Sequence, residues 1–231
     1  MKNMKYAKAK AAEAALAYVK PDQLLGVGTG STVSCFIEAM TLRKVYPLAA
    51  IPTSFKTEKL LLEAGIKIIQ LKELNELIPF YIDSADVIDY FGQAIKGGGG
   101  AHNIEKQVAS VSQNWVCIID ESKLVDSWKA RCPIPLEIIP KEYEEVASQV
   151  SLMGGLLIQR SGGNADSGNL LAEIQGLDLT RDLKSLEKKI ESIPGVVACG
   201  IFATRRADII LVGKSNGSVS SIKTKTKEIN H

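Results

Sequence analysis

Short apolar runs alternate with longer amphipathic stretches through the first half of the chain. Leu24-Leu-Gly-Val27, Leu48-Ala-Ala-Ile51, Lys67-Ile-Ile-Gln-Leu71, Phe80-Tyr-Ile82 and Trp115-Val-Cys-Ile-Ile119 are too short for helices, so they read as buried strands. Between them, the alanine-rich stretch 4–19, ended by Lys20-Pro21-Asp22, predicts a helix. Further helices are expected from Ser31 or Thr32 (either able to cap) to about Met40, from Lys56 to Ala64 with Gly65 closing it, and from Glu105 to Gln113. Such alternation builds βαβ units and a parallel sheet covered on both faces.

After Pro133-Ile-Pro135 the texture changes. A strand over Leu136–Ile139, a helix over Lys141–Met153, a hairpin of 156–160 and 169–175 around Gly162–Gly168, a helix over Asp182–Ile193 and a strand over Val196–Phe202 describe a small α+β domain set into the first. Ala207–Val212 reads as a strand returning to the parent sheet.

Composition adds limits. The 231 residues are 45% hydrophobic and 23% charged, with a net charge of +2, which fits a globular protein and argues for neither a nucleic-acid nor a membrane partner. Lysines gather at the ends (Lys2, Lys5, Lys8, Lys10; Lys223, Lys225, Lys227) and read as a solvated helix face and a tail. Cys35, Cys117, Cys132 and Cys199 have no pairing pattern, and three lie in apolar runs, so buried thiols in a reducing compartment are expected. With Glu13 interrupting any signal-peptide core and no run of transmembrane length, the expected location is the cytoplasm.

The candidate chemistry concentrates between Asp83 and Glu105. Asp83-Ser-Ala-Asp86 follows a strand, where ligands of open α/β sheets bind, and Lys96 leads into Gly97–Gly100. A glycine run weakens regular structure and serves close backbone approach. Lys96 beside bare amides could stabilise a developing oxyanion, and Glu105 falls in the first turn of the next helix, with Asn103 as its cap. Taken singly, each residue has a plain reading: an Asx turn for Asp83 or Asp86, a solvated Lys96, a dipole-favoured Glu105. Asp89 reads as a surface residue, and Arg205-Arg206 as a loop pair without catalytic weight. Gly26-Val-Gly28-Thr29-Gly30-Ser31-Thr32 joins a strand to a helix and fits a phosphate site and an ordinary tight turn equally well, a dinucleotide less well. It lacks the Walker A lysine. Lys123, in Asp120-Glu-Ser-Lys123, lies at another strand end, to meet substrate or to cap a turn. With only His102 and His231 present, a Ser/His/Asp triad or a histidine metal site is excluded in practice, and His102 reads as a polar loop residue.

These blocks, in this order, resemble ribose-5-phosphate isomerase of the A type. Further matches are Pro52-Thr-Ser-Phe55 with Thr57-Glu-Lys-Leu60, Pro133 to Pro140, and Ile193-Pro-Gly-Val-Val197 with Gly200-Ile-Phe202, so the resemblance runs from about Ala7 to Gly217. It implies a Rossmann-like α/β domain (1–131 and 205–231) carrying a ferredoxin-like α+β domain (132–204). It further implies interconversion of ribose 5-phosphate and ribulose 5-phosphate in the pentose phosphate pathway, without metal or organic cofactor, by a homodimer or homotetramer. Glu105 would transfer the proton, Lys96 and the amides of Gly97, Gly98 and Gly99 would hold the enediolate oxygens, and Asp83, Ser84, Ala85 and Asp86 would assist ring opening and orient hydroxyls. Thr29, Gly30, Ser31, Thr32 and Lys123 would make the remaining contacts, Ser31 and Thr32 nearest the phosphate. The family usually has Asp-Gly-Ala-Asp-Glu where this chain has Asp83-Ser84-Ala85-Asp86-Val87, and a polar residue where Ile104 stands. Two other classes compete. A sugar-phosphate sensor on a related fold would carry a helix-turn-helix ahead of the domain, and a coenzyme A transferase would use a glutamate nucleophile in a different setting.

Overall fold

A computed structural model of the chain describes residues 2–128, 132–180 and 182–224. Lys225, Lys227, His231 and the boundary at residue 131 lie outside them. The first half folds as α1 (Lys2–Ala15), β1 (Leu24–Val27), α2 (Ser31–Arg43), β2 (Ala49–Pro52), α3 (Phe55–Glu63), β3 (Ile78–Asp83), β4 (Val87–Asp89), β5 (Ala94–Ile95), α4 (His102–Ser110), β6 (Ser112–Asp120) and β7 (Leu124–Val125). The second half adds β8 (Ile134–Ile138), α5 (Tyr143–Leu152), β9 (Leu156–Asn164), β10 (Leu170–Gln175), α6 (Leu183–Glu191), β11 (Val196–Cys199), β12 (Ile201–Phe202), β13 (Ile209–Gly213) and β14 (Val219–Lys223).

The main sheet has the order β14-β13-β6-β3-β1-β2 and is parallel except for the antiparallel edge strand β14. The two-residue period of each strand divides its side chains between two cores. Leu25, Val27, Ile82, Val116 and Ile118 face α1 and α2, where Ala11, Ala12, Val33, Phe36 and Met40 meet them. Leu24, Tyr81, Trp115, Cys117 and Ile119 face the opposite way, against Val108 and Ala109 of α4. This double burial is why the strands read as unbroken apolar runs.

The smaller domain follows the order β11-β8-β10-β9, antiparallel throughout, with α5 and α6 packed on Ile134, Leu136, Ile138, Ala172 and Ile174. Its βαββαβ succession is the ferredoxin-like arrangement. A third sheet, β12-β5-β4-β7, ties the two together with strands of two or three residues. Strands that short leave no periodicity to read in a sequence.

Several expectations change. The strand expected at Lys67–Leu71 is a single bridge, Ala50 to Ile68, followed by a 3-10 turn at Leu71–Glu73, because its Lys67 and Gln70 do not suit a buried position. The strand expected at Val196–Phe202 is broken at Gly200, where the chain passes from the smaller sheet to the linking one. A Cβ on Gly200 would lie 2.3 Å from the Lys96 carbonyl oxygen, so only glycine lets the two segments meet. Asp89 is buried rather than at the surface: it accepts hydrogen bonds from Phe91 N and Gln93 N at 2.9 Å and from Trp128 Nε1 at 2.8 Å, holding the β4–β5 hairpin closed. Among the cysteines, Cys117 and Cys199 are buried while Cys35 and Cys132 are half-buried, and all four are free. Burial pushes the Cys199 thiol up to about 12. Among the described residues, no helix is long and apolar enough to cross a membrane.

Candidate active site

Strand β3 ends on Asp83 at the carboxyl edge of the sheet, between β1 and β6. Its carboxylate is inaccessible to solvent and accepts four hydrogen bonds. Oδ1 takes Thr29 N at 3.1 Å and Ser84 N at 2.7 Å; Oδ2 takes the Tyr81 hydroxyl and the Lys96 ammonium. Gly28 makes this possible, since a Cβ there would stand 1.9 Å from Asp83 Cγ. The strand–loop backbone therefore approaches the carboxylate directly.

Lys96 follows β5 and is anchored by its own amide, which donates to Gly200 O at 2.9 Å. Its ammonium is buried and ion-paired to both Asp83 and Glu105. Burial alone would lower the lysine pKa, but the two carboxylates outweigh it and hold the group charged. Glu105 lies in the first turn of α4, buried, with Lys96 as its ion-pair partner. Burial, and then the Asp83 charge, push its carboxyl up to about 8 against the pull of Lys96. One ammonium is shared between two buried carboxylates, and Glu105 lacks the backbone donors that Asp83 has, among the described residues. A carboxylate poised near neutral pH is suited to proton transfer.

The other candidate segments converge here. Asp86 is exposed and accepts from Gly98 N at 2.9 Å. The Lys123 ammonium donates to Ala85 O at 2.6 Å, beside Asp86. The Cβ positions of Gly99 and Gly30 lie 3.6 Å from Thr29 Cγ2 and 3.1 Å from Ser84 Oγ, so the loops 26–32, 83–86 and 96–100 touch. Ser84, standing for the family's usual glycine, is not among the positive-φ residues and accommodates its Cβ. Val87 opens β4 half-buried, and Ile104 packs against the core beside Val108.

Helix α2 begins at Ser31 with Gly30, at φ 133°, in the cap position, so neither Ser31 nor Thr32 caps it. This frees both hydroxyls. The Thr32 hydroxyl is buried without a hydrogen-bond partner at the helix N-terminus, an arrangement that suits an anion. Ser31 Oγ accepts from Lys8 of α1 at 3.0 Å. Thr29 Oγ1 donates to Ser54 at 2.8 Å, in contact with Thr53 at 2.9 Å, and Thr57 Oγ1 donates to Gly28 O at 2.7 Å, which braces this loop from α3.

Three residues depart from their sequence reading. Asn103 is not the cap of α4, a place held by Ala101; its amide reaches Glu137 at 3.2 Å. His102 is fully buried, its ring packed under Gly97, and burial drives its pKa down to about 3 against a backbone hydrogen bond with Ala198 that raises it. Arg205 clamps Ala109 O, Ser112 O and Asp208, joining the end of α4 to the main sheet. Lys8 and Tyr81 were invisible as site residues, because only the packing of α1 on α2 and the hidden hydroxyl beneath Asp83 give them a role. Beside the site, a cleft of about 460 Å³ is lined by Thr53, Ser54, Ala101, Asn103 and Glu137, and does not include Asp83, Lys96 or Glu105. Among the described residues, no group of three His, Cys, Asp or Glu side chains could hold a metal ion.

The sequence pattern of the family described as ribose 5-phosphate isomerase A (phosphoriboisomerase A) matches residues 49–217. A ribose-5-phosphate isomerase A of Buchnera aphidicola is 43% identical over 215 residues, covering 93% of this chain and 95% of the relative. That of Acidithiobacillus ferrooxidans is 42% identical, covering 92% and 95%. Among solved structures, ribose 5-phosphate isomerase A from Neisseria gonorrhoeae superposes with a TM-score of 0.91 at 35% identity, covering 96% of this chain and 98% of that one. A D-ribose-5-phosphate isomerase in complex with phospho-erythronic acid gives 0.87 at 30% identity, covering 95% and 99%. Over nearly its whole length, then, the chain belongs to the ribose 5-phosphate isomerase A family.

Proposed function

We propose that this protein interconverts ribose 5-phosphate and ribulose 5-phosphate through an enediolate, with Glu105 as the proton carrier, in the non-oxidative pentose phosphate pathway. The observation that carries the reading is Glu105 itself: buried, ion-paired to Lys96 and raised to about 8. Glu105 removes the C2 proton of the open-chain aldose. The electron pair left behind forms the C1–C2 double bond, and the carbonyl oxygen O1 takes the charge. The O2 hydroxyl proton passes to O1, and Glu105 returns its proton to C1, leaving the C2 ketone. One carboxylate serving two adjacent carbons contributes roughly 10²–10⁴-fold as a general base.

The ammonium of Lys96 and the amide of Gly99, which has no acceptor among the described residues, stabilise O1 and O2 as charge develops. Asp83 already accepts four hydrogen bonds, so its part is to fix Lys96 rather than to receive substrate hydroxyls. Ring opening falls to Asp86, exposed and with a backbone donor on one oxygen, next to the Lys123 ammonium. The phosphate is taken by the amides of Ser31 and Thr32, the unpartnered Thr32 hydroxyl and Lys8.

The exposed apolar residues Leu156 and Ile158 on edge strand β9 support a homodimer or homotetramer built partly through the smaller domain. The separate core of that domain supports its division from the rest at residues 132–204. Free thiols accord with a cytoplasmic setting. Incubation with ribose 5-phosphate, following ketose formation, tests the reading. Binding without turnover would point instead to a sugar-phosphate sensor.

A further inference from the structure

The glycine loop carries backbone carbonyls as well as amides, and the carbonyls have a partner from the other domain. Arg160 on β9 donates from Nη1 to Gly97 O at 2.9 Å and to Gly98 O at 3.3 Å, while its Nε is ion-paired to Glu173 of β10 at 2.9 Å. A trans peptide points its carbonyl and its following N–H in opposite directions. Holding Gly97 O therefore aims Gly98 N–H away from Arg160, onto Asp86 Oδ2 at 2.9 Å. Holding Gly98 O aims Gly99 N–H the same way, and that amide has no acceptor among the described residues. Gly97, at φ 118°, also takes Gly100 N on its carbonyl at 3.0 Å, so the loop is a tight turn whose tilt the guanidinium sets. With five donors in a rigid fork, arginine can hold two carbonyls and a carboxylate at once.

We propose that Arg160 is a positioning residue: from the smaller domain it turns the carbonyls of Gly97 and Gly98 outward, so that the Gly98 amide stays on Asp86 and the Gly99 amide is presented to the charge developing on the substrate. The inference rests on the isomerase reading of the site. Glu173 fixes the guanidinium, so the smaller domain becomes part of the oxyanion apparatus without touching substrate.

The test compares R160A and R160K with the unaltered protein for turnover of ribose 5-phosphate, and for calorimetric binding of 4-phosphoerythronate and of inorganic phosphate. Removing an oxyanion donor outright costs about 10²–10³ in kcat, so misaiming the Gly99 amide is expected to lower kcat about 10- to 100-fold in R160A with KM within about threefold. Affinity for phosphoerythronate, whose carboxylate presents charge to the loop, falls in step, while affinity for phosphate holds. R160K, keeping one donor, falls between. A change in kcat below about threefold, or a loss of phosphate affinity equal to the loss for phosphoerythronate, overturns the proposal. If R160A does not fold, E173A, which leaves the guanidinium present but without its carboxylate acceptor, reads the same ratio with a smaller shift, and equal losses there overturn it too. Absence of turnover in the unaltered protein would sink the isomerase reading alone, because the ratio of the two affinities still decides the role of Arg160.

Discussion

Two clusters of the same composition flank one phenyl ring. On one side of Phe202, Lys96 lies 5.0 Å from the ring centroid and pairs with Asp83 and Glu105; on the other, Lys106 lies 4.9 Å away and pairs with Glu187 and Glu191. Each is one ammonium between two carboxylates. What separates them is what remains unsatisfied. Glu187 also accepts from Ala203 N at 3.0 Å and Thr204 N at 2.6 Å, and Lys106 donates to Ile201 O at 2.7 Å as well, so that cluster is closed and ties α4 to α6 and β12. Glu105 has no such backbone donors and is pushed up into the neutral range. Composition does not distinguish a strut from a base; hydrogen-bond completeness does.

The sharpest way to break this comparison is to neutralise one carboxylate on each side. E105Q is expected to lower kcat by roughly 10²–10⁴-fold with stability held at neutral pH, since a carboxyl raised to about 8 is largely uncharged there and the amide has the same shape. E187A should do the reverse: it leaves Lys106 with Glu191 and Ile201 O but strands the amides of Ala203 and Thr204, so about 1–3 kcal/mol of stability for each stranded amide is lost in a urea titration while kcat at low temperature stays near normal. A large kcat loss in E187A with unchanged stability would erase the distinction.

The pH profile sharpens it further. Only the ionised carboxylate accepts a proton, so kcat/KM should climb with pH through the raised Glu105 pKa of about 8 rather than near 4.5. D83N removes one of the charges that raises it, so the acid limb of that variant moves to lower pH. A limb that does not move would mean burial alone sets the value.

The smallest effect concerns His102, beneath the loop on the catalytic side. Its folded pKa is about 3 and its ordinary value 6.5, so between those pH values the unfolded chain binds the extra proton. The His102 contribution to stability therefore falls as pH drops below 6.5, by up to about 1.4 kcal/mol per pH unit, while Glu105, raised in the folded state, contributes with the opposite sign. H102L removes the first of these, so its stability relative to the unaltered protein should rise as pH is lowered from 7 to 5 in urea titrations, and a difference that does not change with pH would overturn the assignment to His102.

Much of this was legible in the chain. The strands of the main sheet announce themselves as apolar runs because both faces are buried, and the order of Asp83, Lys96, the glycines and Glu105 marks the candidate site, whose side chains the fold brings together. What stayed hidden is physical in origin. Strands β4, β5, β7 and β12 are too short for a period, although they set Lys96 in place. Ser31 and Thr32 look like caps because hydroxyls usually cap, yet Gly30, at positive φ, takes that position. Lys8, Arg160 and the Lys106 partners depend on contacts between distant segments, which no local pattern encodes. Ser84 and Val87, the departures within the Asp83–Asp86 block, are absorbed without strain and leave the four donors on Asp83 in place.

The linking sheet has a consequence for how the chain reaches its working form. Its four strands come from both sides of the smaller domain, so it closes only after that domain has formed and returned the chain at Gly200. Pairings of such long sequence separation are the slow ones in folding. Lys96 is held at one of them, its amide on Gly200 O. A refolding chain is therefore expected to regain helical circular dichroism before it regains turnover, and simultaneous recovery of the two would break that link.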